Sequence, residues 1–498
     1  MNLRDILETT ASAVPQRTAL VLGSQRVSYH ELDESANRVA NALISLGMKK
    51  GDHVALLMSH CPEWVANYFG IIKAGGVAVL LSHMLKAPEH DALLRDSDAK
   101  FFITEEKFAQ MLAGFLPDIP LLKHILKVDS CEYQELIAQS SPVAPDVKID
   151  DDDHATIFYT SGVLGKQKGV LHSHATLMGA PKIVSNGIKR GRDDVVIDTP
   201  PFFYLFGLSE VLFGSVQEGS TVVLIPAFTP RTVLQAIEKE KATIIFGVPA
   251  ILNSLAMLRD EMINKYDVSS LRVASTAGAK SSVRVMKTLE EKYGLSLCES
   301  YGMSELGVVA VSTLDDGKVG TVGRPVCEMK IVDDNGEEVP QGEIGEAIFR
   351  SPWQMIEYYK APDLTAEVTR GGWFHSGDLV RQDEDGYIEY IEKKSFIIVT
   401  PTGLKIAPTE VEEVLLRYPG VAEAAYVGVR DGRGPNRLIP TAFITVEKDK
   451  TLTIEELNDY CRHNLADFKL PKQFIFVEGL PKVGSGKINR RLLKEGNA

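Results

Sequence analysis

Residues Tyr159 to Val170 read YTSGVLGKQKGV. Gly162, Gly165 and Gly169 share this short run with the hydroxyls of Thr160 and Ser161 and with Lys166, Gln167 and Lys168, while Val163 and Leu164 stand at its centre. Glycines let backbone N–H groups approach an anion closely, and the hydroxyls and Lys168 add donors and charge, so the composition fits a loop that cradles phosphate. A Gly-rich turn between a strand, ATIFY, and the segment GVLHSHATL accounts for the same window equally well. The loop is not a Walker A motif: GxxxxGK[ST] does not occur in it, and GSGKI from Gly484 lacks the first glycine and the final hydroxyl residue.

Outward from this loop the chain alternates strand and helix. On its N-terminal side, Ser28 and Glu31 form a capping box, Leu32, Ala36, Val39, Ala40 and Leu43 share one helical face, and Gly47 stops that helix. HVALLMS from His53 reads as a buried strand, Pro62 opens a helix that ends near Gly75, and GVAVLL follows as a strand. On the C-terminal side TVVLIP, PRTVLQAIEKEK, TIIFGV and LRVAST repeat the pattern, which predicts predominantly parallel sheets covered by helices. From about Gly345 the texture changes to short strands and turns. Near Ser395 a compact unit begins, with a helix in PTEVEEVLLRYPG, strands in AAYVGV and TAFITV, a helix capped by Thr453 and Glu456, and a strand in QFIFVE. The expected fold is α/β: a large N-terminal domain, residues 1–394, of helix-covered sheets with a β-rich subdomain, then a small mobile α+β domain, residues 395–498.

Length and composition agree. At 498 residues the chain exceeds one ordinary core, and 44% hydrophobic with 24% charged residues is the make-up of a soluble globular protein. A formal charge of −13 argues against nucleic acid or an anionic membrane surface as the main partner. Cys61, Cys131, Cys298, Cys327 and Cys461 lie far apart with no CxxC, which suits core thiols in a reducing compartment. The opening residues carry acids and no apolar h-region, and the most apolar stretch, from Ala242, is broken by Gly247, Pro249, Asn253 and Ser254. The expectation is a cytoplasmic protein without a membrane span.

Taken in order along nearly the whole chain, the segments resemble those of the superfamily of adenylate-forming enzymes that includes acyl-CoA synthetases, peptide-synthetase adenylation domains and firefly-type luciferases. YTSGVLGKQKG is similar to the family loop YTSGTTGxPKG that grips the ATP phosphates, with Thr160, Ser161, Gly162, Gly165, Lys168 and Gly169 matching. Pro201, Phe203, Gly207 and Leu208 match the acyl-site segment PLFHxxGL, and Tyr204 stands where His is common. AGAK, ending in Gly278, Ala279 and Lys280, resembles GGAP, whose backbone meets adenine. Glu299, Ser300, Tyr301, Gly302, Met303, Ser304 and Glu305 resemble the stretch around GYGxTE, in which the tyrosine stacks on adenine, the hydroxyl residue contacts phosphate and the glutamate holds magnesium. SGDL resembles the segment whose Asp, here Asp378, accepts from the ribose hydroxyls, and LPKVGSGKINRRLLK carries the adenylation lysine, here Lys487. Each residue taken singly also fits an ordinary turn carboxylate, core aromatic or exposed lysine; their order and spacing carry the resemblance. His172 and His174, in HSH, are expected to be structural.

The resemblance implies an AMP-forming ligase. A carboxylic acid and Mg-ATP give an acyl-adenylate and pyrophosphate, and coenzyme A then displaces AMP to give an acyl-CoA. ATP, Mg2+ and coenzyme A are the implied cofactors, Glu305 the metal residue, Lys487 and Glu305 the catalytic pair, and a homodimer a possible assembly. Attack of a carboxylate on the α-phosphorus brings two anions together, so the site needs cations where charge develops, and a carboxylate ionised at neutral pH needs no general base. By family position Phe202, Phe203, Tyr204, Val248, Gly278 and Met303 line the pocket of a mainly apolar acid. Three departures stand out: Val163 and Leu164 replace hydroxyl residues, Lys393 replaces an arginine in EKKSFII, and Ser395 occupies the hinge between the two domain orientations. A stand-alone enzyme loading a carrier protein and a non-catalytic adenylate-binding regulator are the alternative readings.

Overall fold

The structure is a computed structural model, and it describes residues 2–161, 167–399, 405–430, 438–483 and 487–494. The chain divides into two compact units: Met1–Glu328 with Arg350–Gly372, and Met329–Phe349 with Trp373–Ala498.

The first unit contains two large sheets. In one, the parallel strands His154–Ser161, Val77–Leu80, His53–Leu57, Phe101–Thr104 and His124–Lys127 lie side by side, and Gln167–Ser173 and then Glu357–Tyr358 add antiparallel at the other edge. In the other, Ser296–Met303, Val273–Ala277, Ile244–Phe246, Val195–Asp198, Thr221–Leu224 and Thr18–Leu22 run parallel, flanked by antiparallel Gln25–Ser28 on one side and Gly307–Val311 with Arg324–Pro325 on the other. The predicted parallel sheets are therefore present. Their strands read as continuous apolar runs because both faces are covered, as in Val79, Ile157, Ile245 and Ala274, each 1% exposed or less.

Local rules place the helices. Ser28 caps Tyr29–Ser45 with the reciprocal bond from Glu31, and Pro62 opens Pro62–Lys73. The apolar stretch from Ala242 is divided between the strand Ile244–Phe246 and the helix Pro249–Ala256. No described helix is long and apolar enough to cross a membrane. All five cysteines are free, but only Cys298 and Cys461 are buried; Cys131, on the first turn of Cys131–Gln139, is exposed, so the expectation of core thiols fails for it.

The second unit holds a four-stranded sheet in the order Glu328–Val332, Ile344–Arg350, Phe374–Gln382, Ile388–Lys393, with a short strand pair of Ile398–Val399 and Lys405–Ile406. Its remaining sheet pairs Val421–Arg430 antiparallel with Leu438–Val446, which pairs parallel with Gln473–Phe476. The helices Pro408–Leu416 and Ile454–Asn464, the latter capped by Thr453 with Glu456, cover it and bury Val411, Leu415, Leu457 and Cys461. This is the α+β tail predicted from the sequence. The expected division after residue 394 falls inside this second unit, which takes in Met329–Phe349 and everything from Trp373 onward.

Candidate active site

In an open α/β sheet the carboxyl ends of the strands are where ligands bind, because the connections there turn outward and leave backbone groups exposed. Most of the expected site residues of the first unit lie at such ends. Thr160 is the last residue but one of His154–Ser161; its Oγ1 is buried and has no hydrogen-bond partner among the described residues. A donor of this kind fits an incoming phosphate oxygen. Gly162, Val163, Leu164 and Gly165 lie outside the described residues, as does the side chain of Ser161.

Lys168, paired in register with Thr160, sits on the returning strand. Its Nζ donates to the Tyr358 hydroxyl at 2.7 Å, and that hydroxyl donates to Glu305 Oε1 at 2.7 Å; Lys168 Nζ and Glu305 Oε1 are 3.6 Å apart. Burial, then the neighbouring Glu305 carboxylate, pushes the Tyr358 phenol far above its ordinary range, so it stays protonated and relays between cation and anion. Tyr358 is 2% exposed, whereas the Lys168 and Glu305 side chains are 21% and 14% exposed, so the charged ends face outward from a buried brace. Sequence reading missed Tyr358. Its only signal was a tyrosine pair, EYYK, just ahead of a proline-initiated helix.

Glu305 is set in a tight hairpin turn between Ser296–Met303 and Gly307–Val311. A Cβ on Gly302 would lie 2.4 Å from the Gly307 carbonyl oxygen, so only glycine lets the two strands approach there. Two further bonds pin the turn. Met355 N–H donates to the Glu305 carbonyl at 2.7 Å, and His172 Nε2 donates to the Ser304 carbonyl at 2.7 Å. A carbonyl only accepts, so Nε2 carries the proton; burial lowers the His172 pKa to about 4 and keeps the ring neutral. His174 accepts from the Leu3 N–H at 3.4 Å. Both histidines thus have structural partners.

Next to this turn, Tyr301 is 8% exposed, and Gly278 and Ala279 present exposed backbone beyond the end of Val273–Ala277, with Lys280 half-buried after them. Glu299 and Ser300 have their side chains engaged inside the fold. Glu299 accepts from Ser281 N–H at 3.2 Å, and Ser300 Oγ donates to Glu210 at 3.0 Å. Burial raises both glutamates to about 8, so they hold protons at neutral pH. Of the residues expected to line the acyl pocket, Phe203 is buried and its ring lies 4.7 Å from that of half-buried Tyr204, at the head of a π-helical segment, Phe206–Phe213. Such segments recur at functional sites because the wider turn re-aims side chains. Val248 caps Pro249–Ala256, and Met303 is half-buried at the hairpin.

In the second unit Asp378 is 3% exposed and lies opposite Lys393, whose Nζ reaches Oδ1 at 2.7 Å; Tyr390 OH donates to the same oxygen at 3.4 Å. Tyr390 was not anticipated. Ser395 lies exposed in a single 3-10 turn, Lys394–Phe396, while Lys394 is tied to Glu346 and Asp334. Lys487 is exposed, and its carbonyl accepts from Val483 N–H at 2.8 Å.

No cluster of three or more metal-ligating side chains occurs among the described residues. A single carboxylate suits Mg2+, which keeps waters and is bound through one or two carboxylates plus substrate phosphates. Glu305 could hold such an ion, and the orphaned Thr160 hydroxyl and the Lys168 ammonium suit phosphates.

Residues 7–359 match the family model described as AMP-binding enzyme, and residues 410–487 match the one described as AMP-binding enzyme C-terminal domain. A feruloyl-CoA synthase of an Amycolatopsis species is 34% identical over 95% of this chain and 94% of its own length. A 2-succinylbenzoate–CoA ligase of Bacillus licheniformis is 33% identical over 98% of each. The solved structure of an anthranilate CoA ligase in complex with anthranoyl-AMP superposes with a TM-score of 0.93 at 28% identity, covering 100% of this chain and 97% of its own. With both family models matched in order and full-length relatives at this identity, the chain belongs to the AMP-binding enzyme family.

Proposed function

We propose that this protein is an AMP-forming acid–CoA ligase in which Lys168 and Glu305, braced by Tyr358, receive the phosphates and the magnesium of Mg-ATP. The carrying observation is the Lys168–Tyr358–Glu305 arrangement, an outward-facing cation and anion held by one buried phenol. When ATP binds, Lys168 exchanges its phenol for phosphate oxygen, and Glu305, which keeps the Tyr358 donor, would hold the magnesium. Bound magnesium supplies charge neutralisation at the phosphates. Asp378 accepts from the ribose hydroxyls, with Lys393 and Tyr390 holding its carboxylate in place. Tyr301 offers an aromatic face to adenine, and the exposed backbone at Gly278 and Ala279 meets its edge.

The acid's carboxylate attacks the α-phosphorus, the bond to the bridging oxygen of pyrophosphate breaks, and Lys487 stabilises the charge that develops. Coenzyme A thiolate then attacks the acyl carbon and AMP leaves. Phe203, Tyr204, Val248 and Met303 favour an apolar acyl group, cyclic or aromatic or medium-chain aliphatic. The aromatic acids in the relatives' names support the aromatic part of that class. A homodimer and a cytoplasmic setting accompany this reading.

Incubating the protein with Mg-ATP, coenzyme A and a panel of such acids tests it. The expected result is pyrophosphate, AMP and acyl-CoA in equal amounts. Turnover that requires an added carrier protein would replace coenzyme A as acceptor, and no pyrophosphate with any acid would overturn the reading.

A further inference from the structure

The carboxyl ends of the two large sheets of the first unit are joined by a buried polar pair that the reaction above does not use. Asp198, the last residue of Val195–Asp198, is 0% exposed, and its Oδ2 pairs with Nε2 of His60, which follows the strand His53–Leu57 of the other sheet. The other oxygen, Oδ1, is buried with no hydrogen-bond partner among the described residues. Burial raises the Asp198 pKa, and His60 offsets part of that. The surroundings are the aromatic wall assigned to the acyl group. The His60 ring lies 4.2 Å from Phe202, Trp64 packs on the same Phe202 at 5.4 Å, and His83 meets Phe203 edge-on at 5.2 Å. His83, which follows the strand Val77–Leu80, also has a buried Nδ1 without a partner.

A pure inter-sheet tie would need one bond and would not leave a fully buried carboxylate oxygen unsatisfied, since such a group costs its whole desolvation when unpaired. An acceptor of this strength, among aromatic rings and at the ligand-bearing edge of the sheet, calls for a donor. We propose that Asp198, held by His60, determines acyl specificity by accepting a hydrogen bond from an O–H or N–H group on the ring or tail of the acid, so that the preferred substrates are hydroxy- or amino-substituted acids. The proposal rests on Phe203 and Tyr204 walling the acyl site. The acid's reacting carboxylate lies elsewhere, toward the nucleotide, so this bond affects which acid is held and leaves the chemical step alone.

The test compares kcat/KM for pyrophosphate release across matched acids: benzoate and cinnamate, their hydroxy and amino derivatives at each ring position, and the O-methyl ethers, which add bulk without a donor. In the unaltered protein at least one hydroxy acid should exceed both its unsubstituted and its O-methyl partner, or one amino-substituted acid its unsubstituted partner, by about tenfold, chiefly through KM, the worth of one well-formed hydrogen bond. Asp198→Leu should bring that ratio to within about twofold while still accepting the unsubstituted acid. Asp198→Asn, which keeps a carbonyl acceptor, should retain part of the preference. The absence of any such preference in the unaltered protein overturns the proposal without need of a variant. So does an Asp198→Leu protein that loses all acids alike, since that is the behaviour of a structural tie. Turnover without preference fails this inference alone; no turnover with any acid fails the functional reading and this inference together.

Discussion

Lys168 and Lys487 carry the same ammonium group in different settings, one half-buried and one exposed. Lys168 stands on a strand of the seven-stranded sheet, its Nζ 3.9 Å from the centre of the Tyr358 ring and hydrogen-bonded to its hydroxyl, with Glu305 beyond. Lys487 directly precedes Ile488, which bridges to Lys482, and is exposed. A lysine braced in advance loses little freedom on binding and suits a permanent grip on phosphate. An exposed lysine suits a group needed in one step and absent from the next. The two should therefore fail differently when removed.

The largest effect is expected for Lys487→Ala. Adenylate formation should fall by about a hundred- to a thousandfold in kcat, the range for losing one transition-state donor, while thioester formation from supplied acyl-AMP is largely kept. Equal loss in both half-reactions would break the contrast. Next, Ser395→Pro fixes φ at the residue that the family resemblance makes the hinge. Single-turnover pyrophosphate release should survive, and most acyl-CoA formation from supplied adenylate should be lost. Normal rates for both steps in a folded variant would move the hinge to Phe396 or remove the two-orientation cycle.

Lys168→Ala should instead raise KM for ATP by about ten- to a hundredfold with a smaller change in kcat. Tyr358→Phe removes only the relay, and its rise in KM should be near fivefold, the worth of about 1 kcal/mol. A Tyr358→Phe effect as large as that of Lys168→Ala would mean that the phenol itself touches substrate.

The smallest effect concerns the frame behind the site. Glu210 is held near 8, above its ordinary 4.5, chiefly by burial; Ser300 and Arg190 oppose the shift. Below pH 4.5 it is protonated folded or unfolded. Between 4.5 and 8 the unfolded chain releases a proton that the folded chain keeps, so this group's contribution to stability declines as pH rises through that window. Urea midpoints from pH 5 to 8 should decline less for Glu210→Gln than for the unaltered protein. Parallel curves would show that Glu210 is ionised in the fold.

Much of this was legible in the chain. The capping box at Ser28, the apolar runs of the parallel strands and the capped helix after Thr453 are local patterns, and each element formed where its pattern lay. The motif residues Glu305 and Asp378 were also visible, because their identity and spacing carry the resemblance. The partners that give those residues their properties were not. Tyr358 lies 190 residues from Lys168 and 53 from Glu305, His172 lies 132 from the carbonyl it fixes, and His60 lies 138 from Asp198. Nothing in a short window marks such pairs. Likewise Glu210 reads as one more surface carboxylate until burial next to Ser300 makes it hold its proton. The sequence by itself determined which elements form and which chemical groups the motifs bring, because propensity, capping and periodicity act over a few residues. Only the tertiary structure decided how Lys168 is braced, which carboxyls are neutral and which acceptor is left waiting, because burial and hydrogen-bond geometry depend on segments that meet only when the sheets close.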